Sequence, residues 1–104
     1  MAIGIYRKVR VKEGCGERFE ALLQSYVAAV VSSEPGCTFF AFLRSPTDSL
    51  QFTIHEEYAD EYALEQHRNS DLERLWLPVL VRQVAGITAS RFAVADADEM
   101  MALS

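Results

Sequence analysis

Residues 37–58 read CTFFAFLRSPTDSLQFTIHEEY, and this stretch decides the fold. Two strand-like runs, Cys37–Arg44 and Phe52–Tyr58, are joined by Ser45–Ser49, which holds Pro, Asp and Ser. Those residue types are typical of turns, because Pro fixes the backbone and Asp and Ser side chains bond to nearby backbone groups. The stretch therefore predicts a β-hairpin.

The first of these strands is apolar on both faces. Phe40 and Phe42 point to one side, and Phe39, Ala41 and Leu43 point to the other. An antiparallel sheet with helices on one face normally has a polar second face. We therefore predict that one set of side chains meets helices and that the other meets a second copy of the chain across a two-fold axis.

Outward from the hairpin, the sequence predicts further strands and helices. Ile3–Val11 has the period-two pattern of a strand. Apolar residues from Phe19 to Val31 recur at spacings of three and four, typical of an amphipathic helix that Glu34-Pro35-Gly36 ends. Near the end of the chain, Gly86 is predicted to stop a helical region and Ile87–Val94 to form the last strand.

The segment between the hairpin and the last strand is predicted to hold two helices. Asp60 can cap a short one that ends at about Arg68, and Ser70 with Glu73 forms a capping-box pattern that starts another. Pro78 predicts a kink or a new helix start inside the second.

The order is β-α-β-β-α-β. It predicts an α+β, ferredoxin-like fold, a four-stranded antiparallel sheet with helices on one face, over residues 1–95, followed by an acidic tail at 96–104.

Composition excludes several classes of function. The 104 residues suit one domain, and a net charge of −5 argues against a nucleic-acid partner. No membrane span or signal-peptide run is found, so a cytoplasmic location is predicted and a disulfide between Cys15 and Cys37 is the less favoured alternative. The two histidines lack metal-ligand spacing, and P-loop and dinucleotide fingerprints are missing, so no metal and no cofactor is predicted.

Several short stretches, taken in order, resemble the antibiotic biosynthesis monooxygenase family. They are Val11-Lys12-Glu13-Gly14, Glu34-Pro35-Gly36-Cys37, Leu43-Arg44-Ser45-Pro46, and Glu56-Glu57-Tyr58-Ala59-Asp60-Glu61 leading to Leu64-Glu65-Gln66-His67. Their order and spacing cover residues 3–94. The resemblance implies a homodimer with its sheets face to face and a pocket between sheet and helices in each subunit. It specifies no reaction, because the family includes cofactor-free oxygenases of phenols and quinols, haem-degrading monooxygenases and sugar-phosphate isomerases.

The haem-degrading branch of that family uses an Asn on the first strand, a Trp in the region of the second helix and a His further along it. At those positions this sequence has Arg7, His67 and about Leu77. A haem without an axial ligand from the protein lacks its main anchor, so haem breakdown is not expected.

His67 is the first candidate catalytic residue. It follows Leu64 by three residues, so it lies on the inward side of the short helix, where the family commonly has a His. Its ordinary pKa near neutrality suits a general base or acid acting on a phenol or enol. The alternative is a structural histidine near a helix C-terminus, favoured by the helix dipole and making one local hydrogen bond.

Glu56 is the second candidate catalytic residue. It shares a strand face with Phe52, Ile54 and Tyr58, and a carboxylate in a dry pocket becomes a usable proton acceptor. The alternative is an ion pair with an arginine of a neighbouring strand, Arg7 or Arg91, which would leave it inert as a base.

Aromatic residues could form a pocket for a flat substrate. The predicted pocket residues are Tyr26, Tyr58, Trp76 and Phe92, with Tyr6 as a further candidate. Core packing is the alternative for each of them. His55 lies on the opposite strand face from Glu56 and is expected at the interface between two copies.

We therefore predict a cofactor-independent monooxygenase that deprotonates a small phenol, quinol or enolisable compound and lets it react with O2. Two alternatives stay open. One is a cofactor-free isomerase of a small carbonyl compound, which needs the same base, and the other is a non-catalytic dimer that binds a small molecule.

Overall fold

The computed structural model describes residues 1–95 and contains every strand and helix that the sequence predicts. The elements are β1 (Ala2–Val11), α1 (Gly16–Ser33), β2 (Cys37–Arg44), β3 (Gln51–Tyr58), α2 (Glu61–Arg68), α3 (Asp71–Val81) and β4 (Val84–Val94). The strands form one antiparallel sheet in the order β2-β3-β1-β4. The predicted α+β, ferredoxin-like fold is confirmed. The predicted acidic tail, 96–104, lies outside the described residues.

Two details of the second half differ from the sequence prediction. α3 continues through Pro78 to Val81 as one helix, without a new start. Pro78 and Arg74, whose carbonyl oxygen would be the helical partner of residue 78, are both exposed, so water can bind that oxygen. Gly86 does not end the helical region, because it lies inside β4 and pairs with Arg10.

The main core lies between the sheet and α1. Its largest fully buried side chains include Phe19 and Leu23 from α1, Val9 from β1 and Phe52 from β3. The ring centroids of Phe19 and Phe52 are 5.0 Å apart and meet edge to face. No helix among residues 1–95 has the length and apolar character needed to cross a membrane.

The other face of the sheet, called the far face below, carries apolar side chains without a covering layer among residues 1–95. Strand register places Tyr6, Phe39, Ala41, Leu43, His55 and Phe92 on it. Leu43 is 69% exposed and Phe39 is 45% exposed. β2 therefore has apolar side chains on both faces, as the sequence predicts, and the helices cover only the face that holds Phe40 and Phe42.

Candidate active site

A cavity of about 110 Å³ lies between the sheet and the helices. Its apolar walls are Val9, Phe19, Leu23, Phe40, Ile54, Leu77, Leu80, Val81, Val84 and Ile87. Its polar lining residues are Arg7, Tyr26, Glu56, His67 and Glu73. The polar groups divide into two clusters, one on the helices and one on the sheet.

The helix cluster is built around the buried ring of His67. Nδ1 is 2.7 Å from Oε1 of Glu34, whereas Nε2 is 3.2 Å from the Tyr26 hydroxyl and 3.3 Å from Oε2 of Glu73. These partners come from α1, the residue after α1, and α3. His67 is thus held by three contacts from outside its own helix, and not by one local hydrogen bond.

Local capping fixes the helix that carries His67. The Asp60 side chain accepts a hydrogen bond from the Ala63 N–H at 2.8 Å and starts α2. At the other end, the Ser70 hydroxyl and the Ser70 N–H both donate to the His67 carbonyl oxygen, at 2.7 and 3.1 Å. The ring therefore extends from a backbone that is fixed on both sides.

Tyr26 connects His67 to Glu73. Its hydroxyl donates to the Glu73 carboxylate and lies beside Nε2 of His67. Burial, together with the hydrogen bond to Glu73 and the charge of that carboxylate, raises the pKa of Tyr26 well above its usual value. Tyr26 is therefore a neutral phenol at physiological pH, and it donates its single hydroxyl proton to Glu73.

The sheet cluster is built around Glu56, which is 3% exposed. One oxygen accepts a hydrogen bond from the Tyr58 hydroxyl at 2.7 Å, and the other pairs with Arg7. Of the two sequence alternatives for Glu56, the ion pair with Arg7 is thus present. Arg91 pairs instead with Glu61.

His67 and Glu56 line the same cavity but do not bond to each other. The Tyr58 ring contacts both, since its centroid is 5.2 Å from that of His67 and its hydroxyl donates to Glu56. The carboxylates that contact His67 are those of Glu34 and Glu73. Any orienting of His67 by a carboxylate therefore comes from these two and not from Glu56.

The four aromatic residues predicted for the pocket occupy different places. Tyr26 lines the cavity, whereas Tyr58 is fully buried behind Glu56. Trp76 packs on the Tyr26 ring at 6.1 Å and is not part of the lining. Phe92 lies on the far face, because it pairs with Gly4 and covers the space where a Gly4 side chain would be. Trp76 and Phe92 are thus not wall residues of this cavity.

The sequence reading missed Glu34 and Glu73. The sequence pattern predicts Glu73 as half of a capping box, and Ser70 does accept its N–H at 3.1 Å. Its carboxylate, however, reaches Tyr26 and His67. The sequence does contain a signal for this position. Glu73 lies three residues before Trp76 and seven before Leu80, so it is on the inward face of α3. For Glu34 the sequence predicts only a part in the helix stop.

The described residues 1–95 contain no group of three His, Cys, Asp or Glu side chains arranged to hold a metal ion. What the cavity does offer is an apolar volume with an imidazole, a neutral phenol and two ion-paired or hydrogen-bonded carboxylates in its lining. Such a lining can bind a small, mostly apolar molecule and exchange a proton with it.

Fold and cavity together define a ferredoxin-like α+β protein with a cavity between sheet and helices. Residues 2–76 match the family model described as antibiotic biosynthesis monooxygenase, and the chain belongs to that family.

Several solved structures share the fold. A candidate antibiotic biosynthesis monooxygenase from Caulobacter crescentus superimposes with a TM-score of 0.85 at 24% identity, over 91% of each chain. One from Nitrosomonas europaea gives 0.84 at 18% identity, over 92% of each chain. A conserved protein from Methanosarcina mazei gives 0.82 at 24% identity, over 91% of this chain and 94% of that one. None of the curated protein sequences matches this chain.

Proposed function

We propose that the protein is a cofactor-independent monooxygenase that acts on a small phenol, quinol or enolisable compound. The observation that carries the proposal is the buried imidazole of His67, joined to Tyr26 at the edge of a largely apolar cavity. Membership of the monooxygenase family supports the reaction class.

The size of the cavity limits the substrate. Apolar cavities of roughly 150 Å³ in an engineered protein accept benzene. The cavity of about 110 Å³ is smaller, so it limits the substrate to a single ring or an acyclic enol, and a polycyclic substrate would need Leu77, Val81 and Ile87, which are exposed lining residues, to move apart.

The proposed reaction begins with proton transfer. The substrate hydroxyl gives its proton directly to Nε2 of His67 and becomes a phenolate or enolate. The anion passes one electron to O2, the two radicals combine, and the resulting peroxide anion takes the proton back from His67 to give a carbon-bound hydroperoxide. Loss of water from the hydroperoxide leaves a carbonyl group. The substrate supplies all four electrons, so that one oxygen atom enters the product and the other leaves as water.

The remaining residues prepare this step. The apolar walls exclude water from the anion and O2. Glu56 is proposed to act with Arg7 on the sheet side of the cavity, where the pair can orient a polar group of the substrate. With both oxygens already bound, Glu56 is better suited to this role than to accepting the proton.

Oxygen uptake tests the proposed function. The protein is incubated with a panel of one-ring phenols and quinols, and uptake is followed with an oxygen electrode. With 18O2, we expect one labelled atom in the product and one in water. If a substrate turns over equally fast without oxygen, the reaction is not an oxygenation.

The isomerase alternative keeps the same base but needs no oxygen. Among the described residues that line the cavity, the single Arg or Lys is Arg7, and it is paired with Glu56. The cavity thus offers no free cation for a phosphorylated carbonyl compound, which makes this alternative the weaker one. Exchange of substrate C–H for deuterium under anaerobic conditions would favour it.

The third alternative is a small-molecule binder without a reaction. Here His67 would be structural, and a His67→Ala variant would fold and bind a phenol as the wild type does. A ligand affinity that changes with this substitution, measured by titration calorimetry, would count against it.

We further propose a cytoplasmic homodimer in which the far faces of two sheets meet. Support comes from the exposed apolar side chains of the far face, including Leu43, Phe39 and Phe92. Cys15 and Cys37 are both free, which agrees with a reducing compartment. Analytical ultracentrifugation at micromolar concentration tests assembly, and a monomer there would overturn the dimer.

A further inference from the structure

We propose that Glu34 is a positioning residue, which holds the proton of neutral His67 on Nδ1 so that Nε2 addresses Tyr26 and the cavity. Glu34 Oε1 lies 2.7 Å from Nδ1. Glu34 is not among the residues that line the cavity, whereas Tyr26 and Glu73, the partners of Nε2, both are. The two nitrogens thus face in different directions, and only Nε2 faces the substrate. The kinetic consequences of this role rest on the proposed function.

The backbone around Glu34 is fixed. Its N–H donates to the Val30 carbonyl oxygen at 2.9 Å and ends α1, and its own carbonyl oxygen accepts the Cys37 N–H at 3.0 Å. Pro35 follows, which restricts the preceding residue to extended conformations, as the φ of −118° and ψ of 92° of Glu34 show. The carboxylate therefore approaches His67 from a rigid support, as a positioning group must.

Stability alone does not explain a glutamate at this place. A carboxylate at a helix C-terminus meets the negative end of the helix dipole, and the last turn of α1 contains no basic residue that would compensate. The second oxygen, Oε2, is buried without a hydrogen-bond partner among the described residues. Both features are unfavourable for folding. Among the described residues, the contact with His67 is the one favourable interaction of the Glu34 side chain.

The chemistry of the pair follows from its geometry. A carboxylate that accepts the Nδ1 proton leaves the lone pair of Nε2 free to take a proton, and its charge stabilises the imidazolium that forms. Tyr26 donates its own proton to Glu73, which offsets part of the negative charge that Nε2 would otherwise face. Without Glu34, the negative charge of Glu73 would attract the ring proton to Nε2, and Nε2 could then no longer accept a proton from the substrate.

The first test reads the ring directly and needs no substrate. In 15N-labelled protein, a His55→Gln background leaves His67 as the one histidine whose ring nitrogens are observed by NMR. We expect neutral His67 to carry its proton on Nδ1 in the wild type and in Glu34→Gln, which keeps an acceptor, and to shift it to Nε2 in Glu34→Ala. An unprotonated Nδ1 in the wild type, or the same tautomer in Glu34→Ala, would overturn the proposal.

The second test is kinetic. We expect kcat to fall about 10- to 100-fold in Glu34→Gln with KM unchanged, since the residue acts on His67 and not on the substrate. Glu65→Gln is the matched control, because Glu65 is an exposed glutamate of α2 whose side chain, among residues 1–95, bonds only to Asn69. If Glu34→Ala, which also loses the acceptor for Nδ1, keeps the kcat and pH profile of the wild type, the positioning role is wrong. Lack of oxygen uptake by the wild type would overturn the proposed function instead, and the ring spectra would still decide on Glu34.

Discussion

The two histidines of this chain lie on opposite faces of one sheet, and each has a carboxylate and aromatic rings beside it. His67, on the helix side, is 4% exposed and has both nitrogens within 3.3 Å of partner oxygens. His55, on the far face, is 33% exposed in its side chain, and its Nε2 is 3.1 Å from Glu57 without the geometry of a hydrogen bond.

The difference lies in how many elements fix each ring. Glu57 is two residues from His55 on the same strand, so their proximity follows from the strand itself. The partners of His67 come from segments 33 and 41 residues away in sequence, and from α3. A histidine next to a carboxylate is therefore a weak sign of an active site. A buried ring whose two nitrogens are fixed by separate elements is a stronger one, because holding it in place opposes the conformational freedom of several side chains.

Replacing each histidine gives the largest expected contrast. We expect His67→Gln to lower kcat for oxygen uptake by about 10²- to 10⁴-fold, the usual effect of losing a general base. His55→Gln should keep kcat within about threefold when assayed at a concentration where the wild type is dimeric. The comparison fails if both variants lose activity equally while circular dichroism shows that both are folded.

Replacing one phenylalanine on each side of the sheet compares the helix side with the far face. Phe52 is fully buried under α1, and its replacement by Ala should lower the free energy of unfolding by about 3–5 kcal/mol. Phe39 is 45% exposed on the far face, so Phe39→Ala should have a small effect on the monomer and lower the stability of the dimer.

Urea unfolding at several protein concentrations separates these effects. If the far face joins two copies, the midpoint of the wild type rises with protein concentration, and that of Phe39→Ala is lower at each concentration at which the wild type is dimeric. A midpoint that does not vary with concentration in either protein would mean that the far face is not an interface.

The sequence contains enough to predict the fold, because each element has its own local signal. The alternation in β1, the cap at Asp60 and the cap at Ser70 all act within a few residues, and the structure has all three. Pro78 misled the prediction for a local reason, since a proline near an exposed helix end loses a hydrogen bond that water can replace.

The site was only partly predictable, because its contacts are not local. The inward position of His67 follows from its spacing to Leu64, and the structure brings it to the cavity with Glu56. The partners of His67 depend on how α1, α2 and α3 meet, and no spacing rule places Glu34 beside a ring 33 residues later. The predicted place of Phe92 in the cavity wall is wrong. Which face of the sheet a β4 side chain occupies depends on the pairing of β4 with β1, and composition does not reveal that Phe92 pairs with Gly4.

The smallest expected effect concerns the alkaline stability of the helix side. Burial and the nearby carboxylates raise the pKa of Tyr26 and Tyr58 above the ordinary value of 10.0. Below pH 10 both the folded and the unfolded chain keep these protons, so the contribution to stability is constant. Above it the unfolded chain loses them and the folded chain does not, so the free energy of unfolding falls as pH rises, by up to about 1.4 kcal/mol per pH unit for each tyrosine.

Urea unfolding at pH 9 to 11 measures that slope in the wild type, Tyr58→Phe and Tyr62→Phe. We expect Tyr58→Phe to have the shallower slope, because it removes a buried phenol, whereas Tyr62 is 72% exposed and its replacement should keep the slope of the wild type. Other groups that titrate in this range are shared by all three proteins, so they cancel in the comparison. If the free energy of unfolding falls equally steeply with pH in Tyr58→Phe and in the wild type, water reaches Tyr58. This result would also contradict the dry surroundings that the proposed function requires around His67.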